Sequence, residues 1–205
     1  MFPGRFPLGT RLWHKSGVKP QSRSRRAPTL LDDERLRELA LRYVGKYATT
    51  RAKLRDYLTR KIRERGWADG SEPDLDALAA RFAELGLVDD AAFALAKSRS
   101  LSARGYGKRR LIEQLRRAGI ADDDSLEAVD AADAETVKAA LRLARRRRIG
   151  PFAEGPADPP QREKWIAAMV RAGHGFTLAN AISRLEPGQE IDLDQLRERF
   201  QHFSA

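Results

Sequence analysis

RFAELGLVDDAAFALAKSRSLSARGYGKRRLIEQLRRAGI, residues 81–120, decides how the rest of the chain is read. Phe82 and Leu85 close one helically spaced apolar stripe, and Gly86 follows as its stop. Asp89 has the chemistry of an N-cap, because its carboxylate can accept an orphan backbone N–H. Ala92, Phe93, Ala96 and Ser100 then fall on one face of a helix. Arg104–Gly105–Tyr106–Gly107 interrupts the period, and Leu111 and Leu115 resume it up to Gly119. Nothing in the stretch alternates with period two, so it predicts two helices joined by a glycine turn.

The same grammar runs outward in both directions. Upstream, Leu36, Leu39, Ala40 and Tyr43 mark one helix. Thr49 or Thr50 caps the next, with Leu54, Leu58 and Ile62 ending at Gly66. Asp74 caps a third, with Leu75, Leu78, Ala79, Phe82 and Leu85 turned inward. Downstream, Asp122 opens a short helix with Leu126 and Val129, and Asp133 opens another with Val137, Ala140, Leu141 and Ala144. A further helix follows Pro159 and Pro160 with Trp165 and Met169. Thr177 caps the last, with Leu178, Ile182 and Leu185. The expected fold class is all-α.

Three of these helices share a spacing: Leu58, Ile62, Gly66; Leu111, Leu115, Gly119; Trp165, Met169, Gly173. The offsets predict three tandem three-helix repeats in an elongated, curved body, each with a small core and lean joints that bend. The expected divisions are a disordered basic arm over 1–30, repeats over 31–88, 89–132 and 133–186, and a C-terminal extension over 187–205. The arm is expected to be dispensable for folding, since it lacks periodic apolar residues.

Composition limits the chemistry. The 205 residues carry 39 Lys and Arg against 29 Asp and Glu, a formal charge of +10, which favours an anionic partner or solubility alone. No cysteine is present, so thiol catalysis and cysteine-ligated metals are excluded, and three histidines leave little for a histidine site. No HExxH, GxSxG or phosphate-loop motif occurs, so no catalytic residue, metal or cofactor is expected. No apolar run is long enough to cross a membrane, and no secretory signal is expected at the N-terminus.

Two cation groups draw attention. Arg99, Arg104, Lys108, Arg109 and Arg110 surround Tyr106, and Arg116 and Arg117 follow on the same helix. Cations in a first helical turn oppose the macrodipole. The segment therefore reads either as a basic edge for an anionic surface or as a tight turn with Tyr106 packed inward. Arg145–Arg146–Arg147–Arg148 ends another helix, where the dipole favours it. Four consecutive residues wrap most of a helix, so at least one is expected to approach the buried side. An acidic pole from Asp122 to Glu135 lies just before, read as capping and solvation or as a face turned away from nucleic acid.

Phe82–Ala94 and Arg99–Arg110, with Gly86–Asp90, Arg104–Gly107, Leu111, Leu115, Gly119 and Ile120, resemble the RecX family of regulatory proteins over about residues 35–185. The arm 1–30, the loop Ala68–Glu72, the turn Arg171–Phe176 and the tail after Pro187 depart from the common pattern. The resemblance implies three tandem three-helix units. It implies a cytoplasmic, non-catalytic monomer acting in recombination, DNA repair and the SOS response. Such a protein binds the bacterial recombinase RecA and single-stranded DNA within its filament, with bare DNA a further partner, and modulates, most often inhibits, the recombinase. The expected contact residues are Arg99, Arg104, Tyr106, Lys108, Arg109, Arg110, Arg116, Arg117 and Arg145–Arg148. The expected structural turns are Gly86, Asp89, Gly105, Gly107 and Gly119. The alternative is an architectural protein that binds DNA directly without a recombinase.

Overall fold

The computed structural model describes residues 30–68 and 70–201. Among them are ten α-helices, one 3-10 turn at Gly150–Phe152, and no strand beyond an isolated bridge between Leu31 and Trp67. The expected arm lies, except for Leu30, outside the described residues.

The first core joins α1 (Asp33–Val44), α2 (Arg51–Arg65) and α3 (Leu75–Glu84). Leu36, Ala40, Leu54, Leu58, Ala79 and Phe82 fill it, and Tyr43 stacks on Tyr57 at 4.1 Å between centroids. Leu31 closes one end by exchanging backbone bonds with Gly66 and Ala68. Thr50 and Asp74 cap their helices as the spacing predicted, Thr50 rather than Thr49 serving α2, and Asp32, which the sequence reading did not name, caps α1. Leu85 is exposed rather than inward, because α3 ends at Glu84 and Leu85 is already its cap.

The second core joins α4 (Asp90–Ala103), α5 (Lys108–Arg117) and α6 (Asp122–Ala134). Asp89 caps α4. The face of α4 is not the expected one. Ala94, Ser98, Leu101 and Ser102 are buried, while Ala92, Ala96 and Ser100 line an open groove with Tyr47 and Leu87. Alanine and serine occupy every side of α4, so its partner decides the face rather than a stripe. Small residues at Ala94 and Ser98 let α6 close in, with Ala128 and Ala132 buried opposite and the Ser98 hydroxyl donating to the Ala128 carbonyl at 2.9 Å. Leu126, expected inward, is exposed for the same reason. Asp122 is the first residue of α6, with Ala121 in the cap position. Asp122–Asp124 thus serve the positive helix end electrostatically.

The third core joins α7 (Thr136–Arg147), α8 (Pro159–Arg171), α9 (Phe176–Ser183) and α10 (Leu193–Gln201). Leu143, Ile149, Met169, Leu178 and Ile182 are its centre. Asp133 does not open α7: α6 continues through Ala134 and Glu135 is the junction. Part of the expected extension is helical. Phe200 of α10 is buried in the third core, with Ile191 and Leu196 against it. Thr177 lies within the first turn of α9, whose cap position is Gly175. The three spaced stripes end in the expected way, since Gly66, Gly119 and Gly173 all have positive φ.

Candidate functional site

The Arg99–Arg110 segment is a joint between the second and third cores. Gly107 donates its N–H to the Ala172 carbonyl at 3.0 Å, and the Arg109 backbone N–H donates to the Gly173 carbonyl at 3.3 Å. A buried His174 places Nε2 3.0 Å from the Gly105 carbonyl, so Nε2 carries the proton and donates. Gly107 has an ordinary extended φ of −89°. Its glycine is required by approach instead, because a Cβ there would stand 2.3 Å from the Gly173 carbonyl oxygen. The expected lean, bending joint is therefore a backbone-to-backbone seam. Burial pushes the His174 pKa below the usual histidine range against the raising effect of Gly105.

Tyr106 is half-buried and packs against both the second and third cores, with the Arg104 guanidinium 5.2 Å from its ring centre. Lys108 pairs with Asp133 of α6 at 3.2 Å, and Glu113 takes Arg110 at 2.8 Å and Arg117 at 2.5 Å. The first-turn Lys108 thus meets an acid, which offsets the dipole cost, while the Gly173 carbonyl takes only the Arg109 backbone N–H.

The arginine run is dispersed. α7 stops at Arg147, and Arg148 takes left-handed backbone at φ 53°. All four arginines are exposed, so none approaches the buried side, because the run leaves the helix before it completes the wrap. Arg145 stacks on Phe152 at 4.9 Å and Arg148 pairs with Glu154. Arg146 donates to the Arg104 carbonyl at 2.7 Å, and Arg142 donates to the Ser102 carbonyl at 3.2 Å. Two arginines of α7 therefore satisfy the carbonyls at the C-terminal end of α4. Arg99, Arg109, Arg116 and Arg147 have no acidic partner among the described residues.

A second joint, between the first and second cores, was not anticipated from the residues. The Asp90 side chain is 3% exposed and accepts from the Arg51 backbone N–H and Nε, each at 3.0 Å. Arg51 also reaches Asp124, and its pKa is raised, first by the Asp90 hydrogen bond. The Thr50 hydroxyl donates to the Ala118 carbonyl at 2.7 Å. In the sequence Asp89 suffices as the cap; the second aspartate, which the cap does not need, was the one available signal of another use. The acidic pole divides likewise, Asp124 serving one joint and Asp133 the other. Glu135 is held below the usual carboxylate range, first by the Lys138 hydrogen bond. Among the described residues no group of three His, Asp or Glu could hold a metal ion, and no helix is long and apolar enough to cross a membrane.

Comparison with known proteins gives a consistent set. Residues 89–129 match the family model described as RecX, second three-helix domain. The regulatory protein RecX of Myxococcus xanthus is 30% identical over 177 residues, covering 82% of this chain and 95% of the relative. That of Thermobifida fusca is 32% identical over 170 residues, covering 80% and 86%. Among solved structures, RecX from Lactobacillus salivarius aligns with a TM-score of 0.53 at 19% identity, covering 73% of this chain and 92% of that one. At that identity the likeness speaks for the fold alone.

Proposed function

This chain belongs to the RecX family of regulatory proteins, and from that premise we infer that it is a non-catalytic regulator that binds the bacterial recombinase RecA on its DNA filament and inhibits it. The three cores are read as three tandem three-helix units, the third enlarged by α10. The observation that carries the reading is the set of exposed, acid-free arginines on the second and third units. Arg99, Arg109, Arg116 and Arg147 stand exposed and unmatched by acids among the described residues, as a surface meant for phosphate or acidic side chains requires. Arg104, Lys108, Arg110, Arg117, Arg145, Arg146 and Arg148 have contacts of their own and contribute field more than free donors.

The test is retention of the chain on immobilised single-stranded DNA, with and without recombinase, at one fixed salt concentration. Retention rises when recombinase is present. Equal retention on bare DNA and on the filament would overturn the reading in favour of an architectural DNA-binding protein.

A further inference from the structure

At the rim of the seam between the second and third cores lies a cleft of about 480 Å³, lined by Lys108, Arg109, Thr136, His174, Phe176 and Thr177. That volume is within the range of small-ligand sites, roughly 300–1,000 Å³. Phe176 is 62% exposed, more than any other large apolar side chain among the described residues. It occupies the first position of α9, and no side chain caps that helix, since Gly175 stands in the cap position. The first-turn N–H groups of α9 thus lack a side-chain acceptor, next to two cations of α5. His174 also lines the cleft; it is 1% exposed and keeps Nδ1, a hydrogen-bond acceptor, buried without a partner while Nε2 serves Gly105.

We propose that this cleft holds one nucleotide of a single strand, the base stacked on Phe176 and the phosphate at the first turn of α9 beside Lys108 and Arg109. The proposal rests on the reading of the chain as a ligand of the DNA filament and names the strand contact within it. Each part meets a separate requirement. An exposed aromatic face accepts any base without reading sequence. A helix N-terminus with free N–H groups accepts a phosphate oxygen. A duplex, whose bases are already stacked, offers nothing to Phe176. Asp133 also lines the cleft and holds Lys108 at 3.2 Å, so it opposes an incoming phosphate. Its carboxylate fixes the lysine at a cost in affinity, and Asp133→Asn is expected to tighten binding.

The experiment is fluorescence anisotropy of a labelled oligothymidylate, and of an abasic strand of equal length, titrated with the full chain across a salt series. Phe176→Ala weakens oligothymidylate binding about tenfold and leaves both abasic binding and the salt slope unchanged. Phe176→Tyr retains the affinity. Arg109→Ala weakens both strands and lowers the slope of log K against log salt by about 0.7. Phe176 is too exposed for its loss to unfold the chain, and an unaltered melting transition verifies this. Wild-type affinity of Phe176→Ala for oligothymidylate would overturn the proposal. So would loss of DNA-free recombinase binding with oligothymidylate binding intact, which would give the cleft to an acidic protein segment. Inhibition of strand exchange, measured on the same preparations, separates the two readings. A wild-type chain that does not inhibit sinks the filament reading, whereas inhibition by the wild type beside unaltered DNA binding by Phe176→Ala sinks the cleft alone.

Discussion

The two joints follow one plan and differ in chemistry. In the first, the start of α2 meets the end of α5: the Thr50 hydroxyl bonds the Ala118 carbonyl, and Gly119 lies against Ala52. In the second, the start of α5 meets the end of α8: the Gly107 N–H bonds the Ala172 carbonyl, and Gly173 lies against Arg110. The Ala-Gly pair at the end of the middle helix thus plays the same part twice. The first joint then buries charge, with Asp90 clamped by Arg51. The second buries a neutral His174 and leaves Arg109 at its rim without an acid among the described residues. The same docking geometry therefore neutralises its cation in one place and displays Arg109 in the other, which is why the second joint is the better candidate for contact with an anionic partner.

The largest effect that would sharpen this contrast is expected at the first joint. Arg51→Met leaves the buried Asp90 carboxylate with only a backbone N–H, and should lower unfolding stability by about 3 kcal/mol, read from the urea midpoint. Asp90→Asn should cost less, because the half-exposed arginine it leaves behind returns to water. Equal costs would break the claim that the burial of Asp90 is the decisive feature.

At the second joint Gly107→Val should cost about 2 kcal/mol, since the new side chain meets the Gly173 carbonyl and the seam must open. An unchanged midpoint would contradict the seam.

His174 supplies a smaller effect with a defined sign. Its folded pKa lies below the unfolded 6.5, so the unfolded chain binds the proton first as pH falls. The stability it contributes is complete above about 6.5 and is lost as pH drops below that value, with a slope of at most about 1.4 kcal/mol per pH unit. Between pH 7 and 5.5, His174→Gln should flatten this dependence, while His14 and His202 remain in both proteins. Identical slopes would mean that His174 is not held neutral in the seam.

The smallest effect concerns Arg146, whose bond to the Arg104 carbonyl is exposed. Arg146→Ala should cost about 0.5–1 kcal/mol by thermal melt.

The architecture was legible wherever an apolar period and a cap coincided: Thr50, Asp74 and Asp89 all accept from the backbone at helix starts, as do Asp32 and Asp158, which were not named as caps. It failed where composition carries no period. α4 is alanine and serine on all sides, so its buried face is chosen by α6. Leu85 and Leu126 satisfy a helical spacing yet point to water, because one has left its helix and the other is displaced by alanines that pack closer. The basic segments were visible as charge, but their allocation was not. Nothing in four consecutive arginines says that Arg148 leaves the helix, or that Arg146 caps another helix 42 positions away. The seam itself was half legible. Gly107 stood out as a required glycine, but the reason, contact with Gly173, belongs to the tertiary structure.

The displayed cations decide whether the second and third units carry the functional surface. In recombinase-driven strand exchange, with the chain titrated at a series of salt concentrations, Arg99, Arg109, Arg116 and Arg147 replaced one at a time and then together by alanine should give graded losses of inhibition. The fully substituted chain should inhibit least and keep its melting temperature. Full inhibition by that folded, fully substituted chain would contradict the placement of the functional surface on the second and third units.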